Sequence, residues 1–158
     1  MKFTRAQRGF TLIEMMVTIA VAAILLAIVV PSFRTFTLSQ RVKSGSFDLY
    51  STLMLARSEA VKRRASVSVT SVGGDWGNGW TVSDGTTTFR SQGTMKGLTI
   101  TSAVTTLTYQ LDGRLSSGSD AGLKLEATSG AAAGKRCITV DPSGVPRSRI
   151  LTGTATCP

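Results

Sequence analysis

Histidine is absent from the 158 residues, and cysteine occurs only twice. Without histidine the usual general base at neutral pH is missing. Two thiols do not complete a zinc site without further ligands. The composition therefore argues against an enzyme, and no metal or cofactor is expected. In an exported chain, Cys137 and Cys157 are best read as a disulfide, with two free thiols as the alternative. Such a bridge closes a loop of roughly 20 residues, worth about 3 kcal/mol in the chain-entropy picture. Two further stretches hint at ligands but lack the required pattern. Residues 130–136 (GAAAGKR) resemble a phosphate loop, yet the glycines stand one residue too close and Arg136 occupies the magnesium-binding Ser or Thr position. Gly73 to Trp80 (GGDWGNGW) has the composition of a turn between strands, and its Asp75 and Asn78 do not match a calcium loop.

Acidic residues are also scarce, nine against eighteen basic ones. Lys2, Arg5 and Arg8 precede an apolar run and describe its flank. The chain after residue 9 keeps 15 basic and 9 acidic residues, a net +6. A surface of that sign favours polyanions such as nucleic acid or anionic lipid, and says little about fold.

What the chain does have is a long apolar run, Phe10 to Val30 (FTLIEMMVTIAVAAILLAIVV), with Glu14 its only ionisable group. As a helix it measures about 31 Å, enough to cross a bilayer's hydrocarbon. The basic leader should stay cytoplasmic while the rest is exported; Arg34, Arg41 and Lys43 blur that rule on the far side. A cleaved signal peptide would use Ala20-Val21-Ala22, but the acid falls inside its apolar region and apolar residues continue to Val30. A plain signal anchor explains the length and the basic flank but not the acid. A carboxylate in hydrocarbon costs about 2.5 to 3.5 kcal/mol, so it calls for a partner. Cutting between Gly9 and Phe10 would create one, an α-amine four residues before Glu14 on the same or a neighbouring helix.

The basic leader, Gly9, the run Phe10-Thr11-Leu12-Ile13-Glu14 and the apolar segment ending at Pro31 resemble the N-terminus of type IV pilins and pseudopilins. The resemblance implies that a prepilin peptidase cuts after Gly9 and methylates Phe10, and that Glu14 sets register against a neighbouring subunit. The implied division is a leader at 1–9, a transmembrane and filament-core helix at 10–31, and an extracytoplasmic globular domain at 32–158. The implied partners are prepilin peptidase, other major and minor pilins, and the inner membrane, in a Gram-negative bacterium.

Pro31 should kink or loosen the helix. Beyond it Leu49, Leu53, Ala56 and Ala60 form one apolar stripe, with Arg57, Lys62, Arg63 and Arg64 near its end. Gly45 is a weak point of about 1 kcal/mol against alanine. A helix to Arg63 would be about 80 Å long, with half of it outside the globule. The period then changes to two: 66–71, 79–83, 86–90, 107–111, 123–127 and 137–140 alternate, with glycine-bearing turns between them. Six or seven strands after one helix predict an α+β fold, the amphipathic half of the helix packed against one or two antiparallel sheets. Residues 118–134 are small and glycine-rich and should contain a loop.

Three later stretches, LARSEAVKRRASVSV (Leu55 to Val69), YQLDGRL (Tyr109 to Leu115) and RCITVDPSGVPRSR (Arg136 to Arg149), resemble the FimT and GspH group of minor pilins and pseudopilins. FimT-like proteins bind DNA through a C-terminal Gly-Arg-x-Arg. Here Arg147 and Arg149 supply the Arg-x-Arg, two residues further from Gly144. In a strand they would share a face, and Lys135, Arg136 and Arg114 would join them in a patch holding double-stranded DNA through its phosphates. The plain alternative is a solvated strand face, and the cluster from Arg57 to Arg64 reads as solvated helix end or subunit contact. The implied function is a minor pilin that contributes to filament assembly at or near the tip and takes part in DNA uptake during natural transformation. The alternatives are a minor pseudopilin of a type II secretion system with no DNA binding, and a monomeric tethered binding protein whose N-terminus stays unprocessed.

Overall fold

The computed structural model describes residues 9–117, 122–128, 134–152 and 155–158. The leader cations Lys2, Arg5 and Arg8 lie outside them, as do residues 118–121 and 129–133 of the expected loop and most of the phosphate-like stretch. Among the described residues, one helix, α1 (Leu12–Arg63), precedes nine strands. Five form sheet 1 in the order β3-β2-β1-β5-β6: β1 (Val67–Val72), β2 (Asp75–Ser83), β3 (Thr88–Gln92), β5 (Thr106–Tyr109) and β6 (Leu115–Ser117). Four form sheet 2 in the order β4-β7-β8-β9: β4 (Leu98–Thr101), β7 (Leu123–Ala127), β8 (Lys135–Val140) and β9 (Pro146–Leu151). All pairings are antiparallel. The fold is α+β, as the switch from a helical to a strand period implied, with nine strands in place of the expected six or seven.

Both ends of α1 carry local signals. Glu14 N–H donates to Thr11 Oγ1 at 3.3 Å, and Thr11 N–H reaches back to Glu14 Oε2 at 3.5 Å, the reciprocal pair of a capping box. At the other end Arg64 turns left-handed (φ 52) and Ala65 N–H bonds to Ala60 carbonyl at 3.3 Å, which closes the last turn as a Schellman motif. Pro31 lies inside the helix, which continues through it without a break.

The chain divides into two compact units at the Arg34–Thr35 bond. In the first, α1 is exposed at every described residue. In the second, Leu49, Leu53, Ala56 and Ala60 are fully buried, as their spacing predicts, and join β-strand residues in one core running from Val42 to Val140. Trp76 and Trp80 sit in that core with ring centroids 6.4 Å apart. Their N–H groups find acceptors: Trp76 Nε1 donates to Val104 carbonyl at 2.7 Å and Trp80 Nε1 to Thr52 Oγ1 at 3.1 Å. Thr52, buried on α1, passes its own proton to Asp48 carbonyl at 2.7 Å.

One sequence expectation is corrected. Gly73 to Trp80 is mostly strand, since β2 starts at Asp75 and the turn shrinks to Gly73 and Gly74. Gly79 within it has φ 103, and a Cβ there would stand 2.0 Å from Gln92 carbonyl oxygen, so strand pairing itself requires glycine. Gly45 packs under β4: a Cβ there would meet Leu98 Cδ1 at 2.6 Å and Met95 Cε at 3.0 Å, side-chain ends that would have to shift.

Candidate functional site

Gly9 and Phe10, the residues expected to be processed, lie where local structure leaves them open. A side chain at Gly9 would meet nothing within 4 Å, and Phe10 is 76% exposed. Glu14 is exposed two residues into α1, its carboxylate engaged with the Thr11 backbone. The T-x-x-E signature of that box was readable in the sequence. The acid thus has a local task, capping the helix and meeting the positive end of its dipole.

The C-terminal cations are carried by sheet 2. Cys137 and Cys157 form a disulfide across 5.6 Å between Cα atoms, pinning the last described residues against β8. Gly122 N–H donates to Pro158 carbonyl at 2.7 Å from the same segment. Register pairs Cys137 with Arg149 and Thr139 with Arg147, so the two arginines share the face that carries the disulfide. Both are exposed. Arg149 donates to Thr156 carbonyl at 3.2 Å, and Arg147 pairs with Asp141 at 3.5 Å. Lys135, on the same face by parity, is bound to Glu126 at 3.1 Å, as is Lys124.

Arg136 does not join them. It alternates to the helix side of β8, opposite Ile150, and lines a hollow with Lys43, Phe47 and Ser148. Ser148 itself bonds Ser46 of α1, Oγ to Oγ, at 3.1 Å. Arg114 is exposed in the β5–β6 turn, its N–H on Asp112 Oδ1 at 3.0 Å. That turn abuts the β8–β9 turn, where Leu115 N–H reaches Pro142 carbonyl at 3.4 Å. Of the five cations grouped from sequence, strand parity therefore keeps Arg147, Arg149 and Lys135 on one face, leaves Arg114 on a neighbouring turn and sends Arg136 to the other side.

The charges around the patch are partly internal. Hydrogen bonding from Ser143 holds the Asp141 carboxyl below its ordinary range against the opposing effect of burial, with the Val145 N–H and Arg147 adding to it. Burial works to raise Glu126, but its hydrogen bonds from Lys124 and Lys135 win and its pKa is lowered. At the end of α1, Glu59 is lowered chiefly by its hydrogen bond from Arg63 at 2.6 Å. The Arg63 guanidinium also lies 4.1 Å from the Phe89 ring centroid. Arg57 is half-buried and donates to Gly113 carbonyl at 3.1 Å and Ser143 carbonyl at 3.4 Å. Nothing in the sequence marks Arg57 as holding turns rather than facing solvent, whereas the Glu59–Arg63 pair follows from their i,i+4 spacing.

Comparison with known proteins agrees with this architecture. Residues 4–30 match the prokaryotic N-terminal methylation motif. Two crystal forms of the type IV minor pilin FimU of Pseudomonas aeruginosa (strain PAO1) have the same fold. One superposes with a TM-score of 0.61 at 24% identity, covering 74% of this chain and 92% of that one. The other gives 0.57 at 24% identity, covering 70% and 92%. Residues 48–144, from the middle of α1 to the β8–β9 turn and so more than half of the chain, match the family described as type II transport protein GspH. The protein belongs to that family, among the type IV pilin-like minor pilins and pseudopilins of the FimT and GspH group.

Proposed function

We propose that the chain is a non-enzymatic subunit of a type IV pilus. Prepilin peptidase removes residues 1–9 at Gly9 and methylates Phe10, the apolar run holds the subunit in the inner membrane, and the subunit then enters a filament beside other major and minor pilins. The observation that carries this reading is a helix whose first half is apolar on all sides and wholly exposed, with a single acid, Glu14, in its first turn. Such a segment needs lipid or neighbouring helices around it. Intact mass of protein from the native host tests it: loss of residues 1–9 with one added methyl is expected, and a retained leader would remove the reading. A pseudopilin role in type II secretion uses the same processing. It is favoured by the description of the matched family, while the similar crystal structures are of a type IV minor pilin.

A second reading, DNA uptake in natural transformation, rests on Arg147 and Arg149 standing exposed on one face of an edge strand. Contact would be made to phosphates, with a steep salt dependence. Retardation of duplex DNA by residues 35–158, a unit that contains the entire core, should be lost on combining Arg147→Ala with Arg149→Ala. Equal retardation by both proteins removes this site, and none by either removes the activity.

A further inference from the structure

Lys43, one of the cations beyond the apolar run, has a setting of its own in the structure, at a hollow beside α1. Phe36, Gln40, Lys43, Phe47, Tyr50 and Met54 recur along α1 at steps of four and three, the spacing with which one helix meets another. They form a second stripe beside the buried one. Phe36 is 59% exposed and Phe47 69%. Between this stripe and the edge strand β9 lies an open hollow of about 470 Å³ lined by Lys43, Phe47, Tyr50, Arg136 and Ser148. An adjoining hollow takes in Phe36 and Ile150, the latter 62% exposed. Contiguous exposed apolar surface of this kind marks an interaction site.

Charge narrows the occupant. Among the described residues the side chains of Lys43 and Arg136 have no hydrogen-bond or ion-pair partner, whereas Lys135 and Arg147 each hold a carboxylate. An apolar floor edged by two uncompensated cations fits an apolar surface that carries an acid. We propose that this hollow seats an amphipathic helix of a neighbouring filament subunit, with a carboxylate facing Lys43 and Arg136. The inference rests on the filament reading and names the surface through which the globular part takes its neighbour. Duplex DNA would leave Phe36, Phe47 and Ile150 against phosphates, which offer them nothing.

The test places the photo-reactive analogue benzoylphenylalanine at Phe47 in the full chain, expressed in its native host, with the exposed β3 residue Thr88 as control. Sheared filaments are irradiated and the crosslinked peptide is sequenced. The expected product joins Phe47 to a helical segment of another pilin-like subunit with an Asp or Glu within one turn, at least tenfold above the Thr88 yield. Arg136→Glu should lower that yield at least tenfold relative to the amount of chain in the filament. Adducts to lipid or DNA alone, equal yields at Thr88, or yields indifferent to Arg136→Glu would overturn the proposal. If the chain enters filaments and Phe47 forms no adduct, the hollow is not the seat and the filament reading stands. If the chain never enters filaments, both fall.

Discussion

The two halves of α1 obey opposite rules on one continuous backbone. Through Arg34 the helix is apolar on nearly every side and buries nothing within the chain; between Val42 and Ala60 it is amphipathic and buries one stripe completely. Hydrophobicity alone does not place a helix in a protein's core. Periodicity does, because only a one-sided helix offers the rest of the fold a face to cover. The first half therefore depends on its surroundings, and the second carries its own stability.

The sharpest attempt to break this contrast compares two leucines. Leu53→Ala opens a cavity at a fully buried position and should cost residues 35–158 about 2 to 5 kcal/mol. Leu25→Ala, in the full chain in detergent, should leave the melting temperature of the globular part unchanged. A drop on Leu25→Ala would show that the halves are not independent. Next in size, Cys157→Ser should cost about 3 kcal/mol by releasing the 20-residue loop. Denaturant titration would also show whether the second half remains two-state without its clasp. At the first half's end, Thr11→Ala removes a cap worth about 1 kcal/mol locally, whereas Glu14→Gln keeps capping geometry and removes the charge. Filament incorporation, read by immunoblot of sheared material, should fall further for Glu14→Gln, with cleavage intact in both. Equal losses would reduce Glu14 to a cap.

The smallest expected effect is on acid stability. Hydrogen bonds from the Thr87 and Thr86 N–H groups and the Thr86 hydroxyl hold Asp84 down to about 2 from an ordinary 3.8. A depressed carboxylate contributes stability that is complete above its unfolded value and is lost as pH falls through its folded value. Residues 35–158 should thus hold their denaturation midpoint down to about pH 4 and lose it progressively towards about pH 2. Asp84→Asn should flatten that limb. An unchanged limb would place the acid sensitivity on Asp141, Glu126 and Glu59, whose pKa values are lowered too.

How much of this was legible in the sequence differs by element. The stripe Leu49, Leu53, Ala56 and Ala60 was plain because helical spacing and burial coincide. So was the alternation that became β1, β5, β7 and β8, apart from end shifts of a residue or two. β4 and β6 were missed because β4 pairs with β7, a neighbour distant in the chain, and the three residues of β6 give too little alternation to read. The glycines of Asp75 to Gly79 disguised a strand as a turn, since composition does not report that Gln92 carbonyl comes too close for a side chain. The processing signal was visible as residue types in order. The basic patch was only half visible: Lys135 and Arg136 are neighbours in sequence, and strand parity puts them on opposite sides of the sheet. The Thr11–Glu14 box is written in the sequence as T-x-x-E, where the acid serves as cap and as lone charge of the apolar run at once.

Arg57 leaves one consequence at the other end of the molecule. Its guanidinium bonds Gly113 carbonyl, in a turn of sheet 1, and Ser143 carbonyl, in a turn of sheet 2. The two sheets share no strand, yet at this corner one planar group ties them together beside the Leu115–Pro142 hydrogen bond. Their fluctuations there are correlated: amide protons near Gly113 and Ser143 should exchange with solvent at rates that rise together when the clamp is cut, although some 30 residues of chain separate the two turns.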